Sequence, residues 1–300
     1  MKKTSWFKGL LAACGLWAAA AWAAPMPVVA SFSILGDVAR EVGGSRVSVQ
    51  TLVGPDQDGH VYQMSPADIR KLRAARLGLL SGLGFEGAGM QRAFASSHIP
   101  VAVASQGITP TRMTDEHGHA VFDPHVWNDP VLMQTYARNV AAALMRTDPA
   151  GRAYYAQRLT AYEGQLRALD QWVRQQFAPI PVAQRKVLTG HDAFGYFARR
   201  YQLRFIAPQG VSTESEASAR TVAMIVQQVR REHIKAVFVE NIRDPRLVQQ
   251  LGREAGVQVQ GELYSDALSR AGGPAPTYLQ LVRHNVQLLA DRKSTRLTPV

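Results

Sequence analysis

Cysteine is almost missing from this chain. Among 300 residues only Cys14 carries a thiol, which excludes a disulfide framework, a thiolate metal site in the body of the protein and a cysteine nucleophile there. Charge is also sparse. Charged residues make up 19%, below the usual quarter, while apolar residues reach 46%, so the chain has the material for a large core and not the composition of a disordered one. Acidic residues number 23 against 34 basic, for a net charge of +11, yet no dense Lys/Arg block occurs. The pairs Arg199-Arg200 and Arg230-Arg231 fall within amphipathic patterns and read as solvated helix faces, which argues against nucleic acid as a partner. Long apolar runs are absent except at the start. There Lys2, Lys3 and Lys8 precede an apolar stretch from Leu10 to Ala20, and Ala21-Trp22-Ala23 fits a cleavage site, so residues 1–23 read as a signal peptide. The run is short for a membrane span. Leu11-Ala12-Ala13-Cys14 resembles a lipoprotein box, which makes a lipid anchor at Cys14 the alternative to cleavage.

From Met26 the pattern alternates strand and helix. VVASF and RVSVQTLV read as strands around the helix SILGDVAREVGG, and RLGLLSG and IPVAVA follow the helix SPADIRKLRAA, whose Ser65, Pro66 and Asp68 form a capping signature. TPTRMTDEHGHAVFDPH reads as a loop and VLMQTYARNVAAALMRTD as a helix. A helical pattern of about seven or eight turns then runs over 149–178, its apolar positions Tyr155, Leu159, Tyr162, Leu166, Leu169, Val173 and Phe177 spaced by three and four. The alternation restarts with KVLTG and continues through LRFIA, KAVFVE and VQVQGEL to a closing helix. The expected fold is α/β, with two lobes, each a parallel sheet covered by helices. The amino-terminal lobe spans 24–148, a linking helix 149–178, the carboxyl-terminal lobe 179–292, and 293–300 form a tail without apolar periodicity.

Two turns, DGHVY and DPHVW, each place a histidine two residues after an aspartate. His60 and His125 are these histidines. His191 follows the strand KVL, and Asp266 follows VQVQGEL. Open α/β sheets bind ligands at the carboxyl ends of their strands, and these four residues fall at such ends or in the loops beyond. Two come from each lobe, so facing lobes would bring them together. Three imidazoles and one carboxylate suit Zn²⁺, and also Mn²⁺ or Fe²⁺. Four protein ligands close the coordination sphere, which means binding or structure and not catalysis. A lone turn histidine is ordinarily a surface residue, and the aspartate two residues earlier is what raises His60 and His125 above that reading, since a carboxylate can orient an imidazole. His191 also fits a helix-start role, although Asp192 is the better cap there. Glu240 is either a partner of a ligand or a cap of the next helix. Trp127, Tyr62 and Phe194 are candidates for the walls of the site, and His98, His233 and His284 read as helix-face residues without a role.

Five blocks, VGPDQDGHVYQMSPADIRKL, FDPHVWNDP, TGHDAFGYFARRYQL, FVENIRDPRL and GELYSDALS with GGPAPTYLQLVRHN, resemble in order the periplasmic metal-binding proteins of bacterial zinc and manganese ABC importers, the cluster A-I or cluster 9 solute-binding proteins. The resemblance runs from about Val28 to Leu289. It implies two α/β lobes joined by one long rigid helix, a metal at the lobe interface, and ligand positions on His60, His125, His191 and Asp266. The manganese branch usually has Glu where this chain has His191, and the zinc branch has His, which favours Zn²⁺ as cargo over Mn²⁺ or a mixed set. Many zinc members carry a long His-rich loop before the second block. Here only DEHGH stands there, so His117 and His119 either capture metal weakly or belong to a plain polar loop.

The expected function is capture of Zn²⁺ in the periplasm by a monomer and delivery to an ABC permease in the inner membrane, with a periplasmic zinc chaperone as a second candidate partner. Release is expected to begin with a single ligand leaving, Asp266 being the candidate. A secreted zinc hydrolase is the rival from another class, but it needs an open coordination position, and no H-E-x-x-H occurs. A metal-stabilised adhesin is the second rival.

Overall fold

A computed structural model describes residues 24–114 and 119–291. The expected signal peptide, Cys14, His117 and the tail lie outside the described residues. In the first lobe β1 (Met26–Phe32) leads through α1 (Ser33–Gly43) to β2 (Val47–Val53). After α2 (Pro66–Ala74) come β3 (Leu77–Leu80), α3 (Ala88–Ala95) and β4 (Val101–Val103). These strands form one parallel sheet in the order β2-β1-β3-β4. A small antiparallel hairpin, β5 (Arg112–Thr114) with β6 (Ala120–Phe122), precedes α4 (Pro130–Thr147) and α5 (Arg152–Phe177). The second lobe continues with β7 (Lys186–Leu188), α6 (Gly195–Tyr201), β8 (Arg204–Ile206) and α7 (Ala219–Arg231). It ends with β9 (Ala236–Glu240), α8 (Arg246–Ala255), β10 (Val259–Leu263) and α9 (Tyr278–Ala290). Its parallel sheet has the order β10-β9-β7-β8.

The hairpin stands where the sequence reads as loop. Its strands are three residues long and half exposed, with Arg112 over the Phe122 ring, so no alternating apolar signal marks them. Helix α3 buries only Met90 and Phe94 and starts among glycines, which weakens its periodicity in the sequence. The capping box read at Ser65 is formed: Ser65 Oγ accepts the Asp68 N–H and the Asp68 carboxylate accepts the Ser65 N–H. His98 and His233 sit in left-handed turns past the ends of α3 and α7, and not on helix faces.

The 26 residues of α5 span about 39 Å at the helical rise. Tyr155, Tyr162, Leu166, Leu169, Val173 and Phe177 form its buried stripe, and it packs on α1 and α4 of the first lobe and on α6 and α9 of the second. One apolar core therefore runs continuously from the first sheet past α5 to the inner face of the second. A smaller cluster, including Leu188, Ile225, Val229, Val237 and Leu251, fills the space between the second sheet and α7 and α8.

Asp37 joins the lobes at this core. Its carboxylate on α1 accepts the N–H of Tyr278 at 2.8 Å, in the first turn of α9. Burial pushes its pKa up to about 6, against the pull of the Tyr278 N–H and Arg40. The native state thus holds this proton more tightly than the unfolded chain, so the contribution of Asp37 to stability falls as pH rises from about 4 to about 6 and is constant above. The cost at neutral pH is about 3 kcal/mol. Asp37→Asn retains an acceptor for Tyr278 and has no charge to bury. Denaturant titrations of the metal-free protein at pH 4 and pH 7 are expected to show the variant gaining on wild type by about 2 kcal/mol at the higher pH.

Candidate metal centre

Both Asp-x-His segments fold as the same local device. Asp58 Oδ1 accepts the N–H of His60 at 3.0 Å, and Asp123 Oδ1 accepts the N–H of His125 at 3.0 Å. Each is an Asx turn, which closes the chain on itself two residues on. Gly59 lets the first turn lie flat on Phe85, since a Cβ there would stand 2.4 Å from the ring. After the second turn a short 3-10 segment (Val126–Asn128) leads to Asp129, which caps α4 by accepting the Val131 N–H at 2.8 Å.

The second lobe supplies its pair from strand ends. His191 stands beyond β7, where the N–H groups of Gly190 and His191 both donate to Glu240 Oε1, at 2.8 and 2.9 Å. Asp266 follows β10. The two residues before it are pinned, with Asn285 exchanging two hydrogen bonds with the Tyr264 backbone and Trp127 Nε1 donating to Ser265 O at 2.9 Å.

These four side chains meet. One ligand atom from each of His60, His125, His191 and Asp266 lies within 4.8 Å of all the others, and all four residues are buried. His60 Nε2 is 3.2 Å from His125 Nε2 and 3.3 Å from Asp266 Oδ2. His191 Nε2 is 3.1 Å from Asp266 Oδ2, and His125 Nε2 is 3.7 Å from Asp266 Oδ1. Four donors about 2.1 Å from one ion in a tetrahedron stand about 3.4 Å apart, so this spacing fits donors around one centre. Asp266 Oδ1 is buried without a hydrogen-bond partner, which a cation at the centre would satisfy.

Carboxylates stand behind two of the imidazoles. Asp123 Oδ1 is 2.9 Å from His125 Nδ1, and Glu240 Oε2 is 2.7 Å from His191 Nδ1. Such partners leave Nε2 as the free donor and raise its basicity. Burial works against charge on His125, but Asp266 and Asp123 outweigh it and bring its pKa up to about 9. Burial likewise opposes charge on His191, and Glu240 and Asp266 override it and hold the pKa well above the usual histidine range. The Asp266 carboxyl is favoured as neutral by burial, yet His125 and His191 hold it well below the usual carboxylate range. Burial lowers His60, and the other two imidazoles push the same way. The cluster thus presents an ionised carboxylate that attracts positive charge, whether protons or a metal.

Of the wall candidates, Trp127 is in place, its ring centroid 5.3 Å from that of His125. Phe194 is buried, stacked on Phe205. Tyr62 turns away and donates to Asp68 Oδ2 at 2.8 Å, serving the start of α2. His119 is exposed and outside the cluster. Glu240 is a partner of His191 and not a helix cap. The sequence reading missed Phe85, whose ring lies 5.1 Å from that of His60, and Glu86. Buried Glu86 accepts from Ser31 Oγ at 2.7 Å and from the N–H groups of Ser81 and Gly82, tying the ends of β1 and β3 together. Glycines flank both residues in a turn, and no spacing sets them apart.

Glu240→Gln keeps the shape and removes the charge behind His191. Metal affinity is expected to fall by about 10- to 100-fold, the usual cost of losing such a partner, as read by competition with a chelator. An unchanged affinity would mean that Glu240 only shapes the loop.

The family model described as "Zinc-uptake complex component A periplasmic" (ZnuA) matches residues 28–292. The zinc-binding protein TroA of Treponema pallidum is 34% identical over 270 residues, 87% of each chain. Its solved structure superposes with a TM-score of 0.84, covering 90% of this chain and 100% of that one. The iron-binding protein YfeA of Yersinia pestis is 31% identical over 88% of this chain and 85% of its own length. The manganese-binding lipoprotein MntA of Bacillus subtilis is 32% identical over 88% of each. Among the described residues no helix is long and apolar enough to cross a membrane. With a family model over most of its length and a relative's structure superposing over 90% of it, this chain belongs to the ZnuA family, the periplasmic metal-binding components of ABC importers.

Proposed function

We propose that this protein captures Zn²⁺ outside the inner membrane and hands it to the permease of an ABC importer. The observation that carries the reading is the buried cluster of three Nε2 atoms and one carboxylate at metal-ligand spacing, drawn from both lobes. His60, His125, His191 and Asp266 are the ligands. Asp123 and Glu240 orient two of them. The lobes extend over 24–148 and 179–292 with 149–178 linking them. Residues 1–23 direct export and are removed, with lipidation at Cys14 as the alternative.

The donor set favours zinc over manganese, because imidazole nitrogen suits Zn²⁺ better than the harder Mn²⁺, and zinc lies above manganese in the Irving–Williams order. Four ligands leave no position for an activated water, so hydrolysis is not part of the function. A manganese or mixed-metal carrier is the second reading, favoured by the relatives named for manganese and iron at similar identity. The test is a competition titration of the metal-free protein with Zn²⁺ and Mn²⁺ against chelators of known affinity. One Zn²⁺ per chain, bound far more tightly than Mn²⁺, supports the zinc reading. Comparable affinities would replace it with the mixed-metal one.

A further inference from the structure

The two Asx turns are alike in their first hydrogen bond and differ in the next. Asp123 uses the same oxygen to hold its own histidine ring. Asp58 reaches across to the other lobe instead. Its Oδ2 accepts the Thr213 hydroxyl at 2.6 Å, from the loop between β8 and α7, and lies 3.7 Å from Arg243 Nη1, just after β9. Two residues earlier Asp56 makes a parallel crossing. Its N–H donates to Leu268 O at 3.0 Å, and its Oδ1 accepts from Asn241 Nδ2 at 3.1 Å. Asn241 also donates to Ala267 O at 3.3 Å, next to Asp266. Asp56 holds a left-handed φ of 54° to make this crossing, a conformation that few side chains adopt.

The segment 54–60, which carries His60, is therefore strapped to the second lobe by contacts in which half-buried Asp56, Asp58, Asn241 and Arg243 take part, with buried Thr213 and Leu268 as partners. The contacts next to His125 and Asp266 are built differently. There Trp127 to Ser265, Asn128 to Ala193, Tyr196 to Asp123 and Tyr278 to Trp127 are hydrogen bonds between buried groups. Breaking a pair buried on both sides strands both members, whereas water reaches the half-buried member of each strap contact and replaces its partner. Separation of the lobes therefore costs least on the side of Asp58. His60 is the ligand on that side, 7% exposed, where the other three are at most 1% exposed.

We propose that the Asp58–Thr213 contact is the latch of the metal site. It holds the His60 segment against the second lobe, and metal enters and leaves past His60 when it opens. Asp58 and Thr213 act as positioning residues through His60. The inference rests on the metal-carrier reading above. It makes His60, and not Asp266 with its pinned preceding residues, the first ligand to part.

The test is stopped-flow release of Zn²⁺ from the loaded full chain to excess chromophoric chelator. Thr213→Val removes the donor at nearly constant shape. It is expected to speed release about tenfold, the effect of losing one hydrogen bond to a charged acceptor. The absorption spectrum of the Co²⁺-loaded variant is expected to match wild type, because the four donors are untouched. Thr213→Ser is expected to restore wild-type release. Arg243→Gln, which weakens the second contact of the same carboxylate, is expected to speed release by about two- to threefold. Wild-type release from both Thr213→Val and Arg243→Gln overturns the latch, as does a Thr213→Val chain with an altered Co²⁺ spectrum. A wild-type chain that takes up neither Zn²⁺ nor Co²⁺ overturns the carrier reading and the latch together, which sets that outcome apart from a latch that fails in a protein that loads.

Discussion

His191→Ala is expected to weaken zinc binding by about 100- to 1,000-fold. Four-ligand zinc sites in small domains are worth about 10–16 kcal/mol in all, so one ligand carries about 3–4 kcal/mol. His191 is fully buried, and its Nε2 stands 3.1 Å from Asp266 and its Nδ1 2.7 Å from Glu240. Removing the ring takes a donor from the centre and leaves two buried carboxylates without their shared cation, so the metal-free variant is also expected to melt at a lower temperature. His284→Ala is the control. That ring hydrogen-bonds the Glu262 carbonyl at 2.9 Å and lies edge-on to Tyr264, outside the cluster of four, and its loss is expected to leave affinity within about twofold. A chelator competition on both variants checks the pair. An affinity for His191→Ala within about threefold of wild type would remove His191 from the ligand set.

Trp127→Ala is expected to cost about 3–5 kcal/mol of stability, near the top of the range for a single core truncation. The indole is fully buried, with ring centroids 4.9 Å from Phe32, 4.8 Å from Phe85 and 5.3 Å from His125. Its Nε1 donates to Ser265 O in the second lobe, and the alanine variant leaves that carbonyl without its donor. One side chain thus supports the first lobe, backs His125 and fixes the segment that carries Asp266. Against a total stability of about 5–15 kcal/mol, the midpoint of urea unfolding is expected to drop sharply for the metal-free protein. Saturating Zn²⁺ is expected to recover part of the loss, because binding to the native state adds to its stability. Trp127→Phe keeps most of the volume and is expected to cost less than half as much.

Much of this was legible in the chain itself. Strand and helix alternation, the long stripe from Tyr155 to Phe177 and the capping signature at Ser65 are local patterns, and local patterns report directly on backbone preference and on which face is buried. His60, His125, His191 and Asp266 stood out for the same reason, since each follows a strand or sits in a marked turn, where α/β sheets present ligands.

The hairpin at Arg112–Phe122 and helix α3 were not legible, because short, half-exposed elements bury too little to impose a period. The unlike fates of the two Asp-x-His turns were not legible either. Asp58 and Asp123 occupy the same local position, yet one orients an imidazole and the other grips Thr213, 155 residues away. Tyr62 and Phe85 divide in the same way, one turned to Asp68 and the other packed on His60. The sequence by itself determined the elements, the donor types and their places at strand ends, because these follow from short-range sterics and side-chain chemistry. Only the tertiary structure decided that the four donors share one centre and which carboxylates stand behind them, because contacts between residues far apart in the chain depend on how the two sheets and the long helix pack.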